Sequence, residues 1–412
     1  MENREIYTLI CDHEKWRPPL FVGKRRERRM EHIIYLDNAA TTRPRKEVVD
    51  AMLPYLEEYY ANPSSMYGIA LENQKLLLES RKVIASTLGA EPEEIFFTAG
   101  GSESDNWALK GIAHANRAKG RHIITTEIEH HAILNSCEYL KEEGYEITYL
   151  GVDEKGRINL KELEQAIRED TILVSIMAAN NEIGTIEPIR DAAMIAKSKG
   201  VLFHTDAVQM YGQMPMDVKY LGVDLLSASG HKFNGPRGSG FLYIRKGVKI
   251  SPFINGGGQE RGMRAGTENT AAIVGIAKAA EIAIRTMNYR IQKETYQRNY
   301  LIGRILREIP YVRLNGHPMQ RLPSNVNFCF EGVEGESLLI LLDMKGICAS
   351  AGSACTTGNT EPSHVLKAIG LDEKMANASL RLTLNEEITK GELDYVVKII
   401  KESVKSLREM SG

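Results

Sequence analysis

The chain has 412 residues, 43% hydrophobic and 26% charged, with a formal charge of −2. That composition excludes a disordered, collagen-like or coiled-coil chain and suits two or three globular domains at about 150 residues each. The 52 basic and 54 acidic residues nearly cancel, so neither nucleic acid nor a membrane surface is expected as a partner. No apolar run reaches the roughly 18 residues of a membrane span, and the N-terminus lacks the apolar centre of a secretory signal. The five cysteines (Cys11, Cys137, Cys329, Cys348 and Cys355) are scattered, with no Cys-x-x-Cys pair. The expectation is therefore no disulfide framework, no metal site and a reducing, cytoplasmic compartment.

In chain order, residues 1–29 carry Pro18-Pro19 and a basic cluster from Lys24 to Arg29 just ahead of Met30. They are expected to be a disordered N-terminal extension, with Met30 as the natural start. From 46 to 285, short β-branched runs at 95–98, 123–126, 147–152, 173–178, 202–205, 225–227 and 240–244 alternate with helical patterns at 48–60, 73–88, 106–118, 160–168 and 189–199. This alternation predicts an α/β fold whose large domain has a mainly parallel seven-stranded sheet covered on both faces. A long helix over 270–309 leads to a strand at 325–330, a helix at 336–345, a strand at 380–384 and a final helix at 388–408. These predict a smaller α+β domain made of residues 30–45 and 286–412.

Ligands of open parallel sheets sit beyond the strand carboxyl ends, where four segments are rich in functional groups. The run Gly100-Gly101-Ser102 precedes a helix, and its free backbone amides suit a phosphate; a plain strand-to-helix turn capped by Ser or Asp is the simpler explanation of the run in isolation. Asp206 ends an apolar strand, where a buried acid must find a cation or hydrogen bonds. Lys232 follows the next strand in Ser229-Gly230-His231-Lys232, and a desolvated lysine becomes an amine nucleophile able to form a Schiff base. A carboxylate for a pyridinium nitrogen and an imine-forming lysine together are the apparatus of pyridoxal phosphate.

Ser229-Gly230-His231-Lys232, Thr205–Gln209, Asn180–Gly184, Glu129-His130-His131 and Leu36–Thr42 resemble the class V aminotransferase branch of fold-type I pyridoxal phosphate enzymes, and among these the cysteine desulfurases of the NifS/IscS type. The resemblance runs from about residue 35 to the C-terminal helix. It implies pyridoxal 5'-phosphate as cofactor, with Lys232 as its Schiff-base lysine, Asp206 on the ring nitrogen, His130 stacked on the ring and moving protons, and Gln209 and Asn181 at the ring hydroxyl. It further implies a phosphate set of Gly101, Ser102, Ser229 and His231, and Arg381 with Asn181 at the substrate carboxylate. Thr267, in the run Gly256–Thr267, would reach the phosphate of a neighbouring subunit, which implies a homodimer. His131 is given no role. After Arg381 the sequence continues Leu384-Asn385-Glu386-Glu387, where relatives commonly have glycine and arginine.

Between about 349 and 360 nearly every residue is small or polar, so nothing anchors the stretch in a core and a mobile loop is expected. Cys355 in that loop would attack the substrate sulfur as a thiolate and carry it outward as a persulfide. The ending Glu361-Pro362-Ser363-His364-Val365-Leu366 resembles the family's long-loop group. Cys137, Cys329 and Cys348 are taken as small buried apolar residues. The implied reaction turns L-cysteine into L-alanine and hands sulfur to an acceptor protein such as an iron-sulfur scaffold or a thiolating enzyme. A selenocysteine lyase or another aminotransferase-like enzyme, and a catalytically silent sulfur-assembly scaffold, are the rivals.

Overall fold

A computed structural model describes residues 33–351 and 362–411. Among them are twelve strands: β1 (Ile34–Tyr35), β2 (Ile95–Thr98), β3 (His122–Thr126), β4 (Glu146–Leu150), β5 (Thr171–Ser175), β6 (Leu202–Asp206), β7 (Leu225–Ser229), β8 (Gly240–Ile244), β9 (Val312–Leu314), β10 (Asn325–Phe330), β11 (Ile347–Cys348) and β12 (Ser379–Thr383). Seven of them form one sheet in the order β2-β8-β7-β6-β5-β3-β4. Neighbours pair in parallel except β8, which runs antiparallel to both β2 and β7.

Side chains on a strand alternate between faces, and the two cores divide accordingly. Phe97, Ile124, Val174, Phe203, Leu226 and Phe241 pack in one cluster with Leu77 and Ile84 of helix Gly68–Leu88 and Ile276 of helix Thr270–Glu308. Phe96, Ile123, Leu173, Leu225 and Leu242 pack in another with Trp107 and Ile112 of helix Gly101–Asn116 and Ile133 of helix His131–Glu142. The sheet is thus buried on both faces, as a parallel sheet requires.

A second sheet, β12-β10-β9, is antiparallel. Its core of Phe328, Phe330, Leu380 and Leu382 is closed by Leu338, Val396 and Ile400 from helices Gly335–Asp343 and Lys390–Ser411. Helix Thr270–Glu308, 39 residues long, contributes Ile273 and Ile276 to the first core and Leu301 and Ile305 to the second. A smaller cluster of Ile128, Met177, Ile183, Cys329, Val365 and Leu366 joins the two sheets, and β1 pairs in parallel with β11.

Several boundaries differ from the sequence expectation. The helix expected over 48–60 is two, Lys46–Met52 and Pro54–Glu57, because Pro54 has no N–H to continue the ladder. The helix expected from 106 starts at Gly101, with Ser104 N–H donating to Gly100 O at 3.1 Å. Beyond β5 the strand-like bonding continues as far as Ala178, whose N–H donates to Asp206 O at 2.8 Å. The expectations for residues 1–29 and 352–360, Cys355 included, lie outside the described residues.

Candidate active site

Strands β6 and β7 pair with Asp206 opposite Ser227, so Asp206 and the single turn Gly230–Lys232 emerge side by side. Asp206 is buried, and its Oδ1 accepts the Val208 N–H at 2.8 Å. Burial pushes its carboxyl up to about 6, against the opposing pull of the Lys232 ammonium. Lys232 Nζ donates to Ala39 O at 2.6 Å and Ala40 O at 2.8 Å. Gln209 Nε2 also donates to Ala39 O, at 3.1 Å, and His231 Nδ1 lies 3.2 Å from Thr41 Oγ1. The segment Leu36–Thr42 therefore lies directly over the lysine. The sequence reading used this segment only as a motif and missed these contacts. A cleft open to solvent adjoins Lys232 and Gln209 and reaches Arg290, Glu294 and Asn325.

His130 caps helix His131–Glu142, its Nδ1 accepting the Ala132 N–H at 3.1 Å. That leaves Nε2 as the nitrogen available for other work. Burial, helped by Lys232, holds the imidazole down at about 4, so it is neutral at physiological pH. Glu129 Oε1 accepts from Thr126 Oγ1 at 2.8 Å and from Met177 N–H at 2.9 Å, and burial raises its carboxyl well above the usual range. His131 packs against His364, with ring centroids 4.8 Å apart, and His364 Nε2 lies 3.0 Å from Glu129 O. On the inner side, His204 is held between Ser175 at 2.8 Å and Ser227 at 3.0 Å, with Asp105 Oδ1 3.8 Å away. Asp105 is fully buried; desolvation first and the Asp206 charge second push its carboxyl well up. Neither Asp105, Glu129 nor His364 was singled out from the sequence as a site residue. Asp105 and Glu129 are surface-type residues whose burial no local pattern announces.

Gly101 and Ser102 open a 16-residue helix with no side-chain cap at Gly100, so its first N–H groups have no intrahelical acceptors. A Cβ on Gly101 would lie 2.5 Å from Val208 Cγ2, so the bare backbone there is what lets this turn sit against the segment that follows β6. Thr267 stands exposed just ahead of helix Thr270–Glu308. The loop leading to it holds Glu260 (φ 46°) and Arg261 (φ 60°) in the left-handed region.

Arg381 is buried, 2% exposed, although it stands on an antiparallel strand. Its Nη2 donates to Asp37 Oδ1 at 2.8 Å and its Nη1 to Asn181 O at 3.2 Å, while Nε has no partner among the described residues. Asn181 is thus brought to the arginine through its carbonyl. Among the cysteines, Cys137 and Cys329 are fully buried as expected. Cys348 is not. It sits half-buried in the short strand β11, where the chain leaves the core before the 352–361 stretch.

The Aminotransferase class-V family model matches residues 34–396. The chain belongs to that family. It is 55% identical over 378 residues to the "Cysteine desulfurase IscS" of Methanosarcina thermophila, covering 92% of this chain and 93% of the relative. To the "Cysteine desulfurase IscS" of Dictyoglomus turgidum it is 50% identical over 382 residues, covering 93% and 97%. Among solved structures, a "NIFS-LIKE PROTEIN" superposes with a TM-score of 0.86 at 40% identity over 91% of this chain and all of the other. "SspA in complex with cysteine" superposes with a TM-score of 0.77 at 37% identity, covering 85% and 98%. These class-V proteins are pyridoxal phosphate enzymes, and the residues gathered here fit that cofactor. An uncapped helix N-terminus suits the phosphate, a buried carboxylate the ring nitrogen, a neutral imidazole the ring face and a lysine amine the aldehyde.

Proposed function

We propose that this class-V chain is a cysteine desulfurase that converts L-cysteine to L-alanine and passes the sulfur to Cys355 as a persulfide, and from there to an acceptor protein. The observation that carries the reading is the convergence of Lys232, Asp206 and neutral His130 at the carboxyl ends of β3, β6 and β7. The cysteine desulfurase relatives at half identity or better support it.

Lys232 would hold pyridoxal phosphate covalently, Asp206 its ring nitrogen, His130 its face, and Gln209 and Asn181 its hydroxyl. Gly101, Ser102, Ser229 and His231 would hold the phosphate, completed by Thr267 from the second subunit of a homodimer. Once bound, the cofactor supplies an electron sink for bonds at the substrate's α-carbon. Lys232 and His130 move protons beside it: the amine is held by two carbonyls, and the imidazole stays neutral down to about 4, so a ring nitrogen lone pair is free at working pH. Arg381 pairs with the substrate carboxylate. Cys355 forms a bond to the substrate sulfur as the carbon–sulfur bond breaks. The carbon skeleton keeps that electron pair, takes up a proton and leaves as alanine.

The same reading divides the chain into a cofactor unit, 46–285, and a smaller unit, 30–45 with 286–412, that carries the cysteine loop. It places the protein in the cytoplasm, with an iron-sulfur scaffold or a thiolating enzyme as the transient acceptor. Among the described residues no helix is long and apolar enough to cross a membrane.

The deciding experiment measures alanine and sulfide from L-cysteine under reducing conditions. Wild type makes both in equal amounts, and Cys355→Ser loses sulfide release. Lys232→Ala loses turnover together with the violet absorption band of the bound cofactor. Full sulfide release by Cys355→Ser would remove the persulfide step.

A further inference from the structure

Arg381 is a buried guanidinium whose charge and geometry depend on residues far away in sequence. Of its donors, Nη1 is held by Asn181 O at 3.2 Å and Nη2 by Asp37 Oδ1 at 2.8 Å, while Nε has no partner among the described residues. At 2% exposure, an N–H left without an acceptor costs a large part of its hydration free energy, so the unpaired edge is where an anionic group of a ligand gains most. What fixes that edge is the pair of contacts on the other donors.

Asp37 is itself tied to the same strand. Thr383 N–H donates to Leu36 O, Asn38 Nδ2 donates to Thr383 O at 2.8 Å, and Ala40 N–H closes a turn onto Asp37 O at 3.0 Å. Two residues further on, Ala39 O and Ala40 O accept from Lys232. The backbone that aims Asp37 at Arg381 is therefore the same backbone that rests on the lysine.

We infer that Asp37 is a positioning residue for substrate binding. It holds the Arg381 guanidinium so that Nε–H and the adjacent Nη–H face the site, ready to pair with the carboxylate of an α-amino acid. The inference rests on Arg381 being the carboxylate-binding arginine of the proposed reaction. It adds that the arginine alone is insufficient: with Asn181 O as the one remaining anchor of its side chain among the described residues, the fork would lose its aim. An Arg fork is effective because its donors are pre-organised.

The test uses the cofactor-loaded enzyme with L-cysteine as substrate and, separately, a spectral titration with the product L-alanine as a non-reacting carboxylate ligand. Asp37→Ala is expected to raise KM for L-cysteine and Kd for L-alanine about tenfold, the loss of one charge-assisted hydrogen bond, with most of the effect in KM rather than kcat. Asp37→Asn, which keeps an oxygen acceptor, is expected to recover most of the binding. In an Arg381→Lys background, Asp37→Ala should add little, because the fork it aims is gone. Thermal unfolding and the cofactor absorption band of each variant separate misfolding from misaiming. Unchanged or tighter L-alanine binding by a folded Asp37→Ala enzyme overturns the inference. Unchanged L-alanine binding by Arg381→Lys overturns instead the reading of Arg381 on which it rests.

Discussion

Asp206, Asp105 and Glu129 place three carboxyl groups in the buried floor of the site, with Lys232 as the cation beside Asp206. Like charges so close in a dry interior cannot all ionise: desolvation raises the Asp105 and Glu129 carboxyls well above their usual range, and Asp206, with Lys232 opposing, is raised to about 6. Asp206 is the carboxylate that would meet the ring nitrogen in the proposed reading. Affinity of the cofactor-free protein for pyridoxal phosphate should accordingly fall as pH drops through about 6, and Asp206→Asn should both weaken binding at pH 7 and flatten its pH dependence; equilibrium dialysis from pH 5 to 8 checks this. The stability sign is opposite. Because the folded pKa is raised, the native state keeps a proton that the unfolded chain releases between about 4 and 6, so this group costs stability as pH rises through that window. Asp206→Asn should therefore raise the melting temperature of the cofactor-free protein at pH 7 by a few degrees while it weakens cofactor binding. Asp206 and Lys232 were legible as a pair because each ends an apolar strand. Asp105 was not, since a helix-borne acid becomes part of the floor only through the packing of its helix on β7.

At the scale of elements, the loop Gly256–Thr267 shows how a strained segment is fastened. Glu260 and Arg261 both adopt left-handed backbone, which costs about 1 kcal/mol or more for each non-glycine residue. The carboxylate of Glu260 is clamped by Arg81 of helix Gly68–Leu88 through two bonds, 2.7 and 2.8 Å, and accepts the Phe97 N–H at 3.0 Å. Arg81 also lies over the Phe97 ring at 4.7 Å. Removing one partner of so buried a pair leaves the other charge stranded, so Arg81→Ala should cost about 3 kcal/mol in urea unfolding. By releasing the loop it should also weaken cofactor binding through the proposed Thr267 contact, whereas Arg81→Lys, which cannot form the two-bond fork on Glu260, should restore only part of the stability. Sequence pattern located the strands around this loop to within a few residues, because strand and helix periodicity is local. It could not locate the clamp, whose partners stand 179 positions apart. The split of the 48–60 helix at Pro54 was legible in principle, since proline in a helix interior is a local signal.

For the whole molecule, the surface around helices Pro54–Glu57 and Gly68–Leu88 exposes several large apolar side chains: Leu56 is 61% exposed, Tyr60 80%, Met66 90% and Tyr67 56%. A patch of this kind marks an interface, in keeping with the proposed homodimer in which Thr267 serves the other subunit. Sedimentation should give twice the 46.1 kDa chain mass, and Tyr60→Glu combined with Met66→Glu should yield monomers with weakened cofactor affinity; dimers of unchanged affinity would remove this surface from the interface. The sequence by itself determined the α/β alternation, the strand carboxyl ends and the residue types placed there, because a strand's period of two and a helix's period of 3.6 are written in neighbouring residues. Only the tertiary structure decided that β8 runs antiparallel to its neighbours, that Arg381 is buried on Asp37, 344 positions away, and that Ala39 and Ala40 offer their carbonyls to Lys232. Those contacts join segments far apart in the chain and bury polar groups that must be satisfied, and no periodicity along the chain encodes which distant partner will satisfy them.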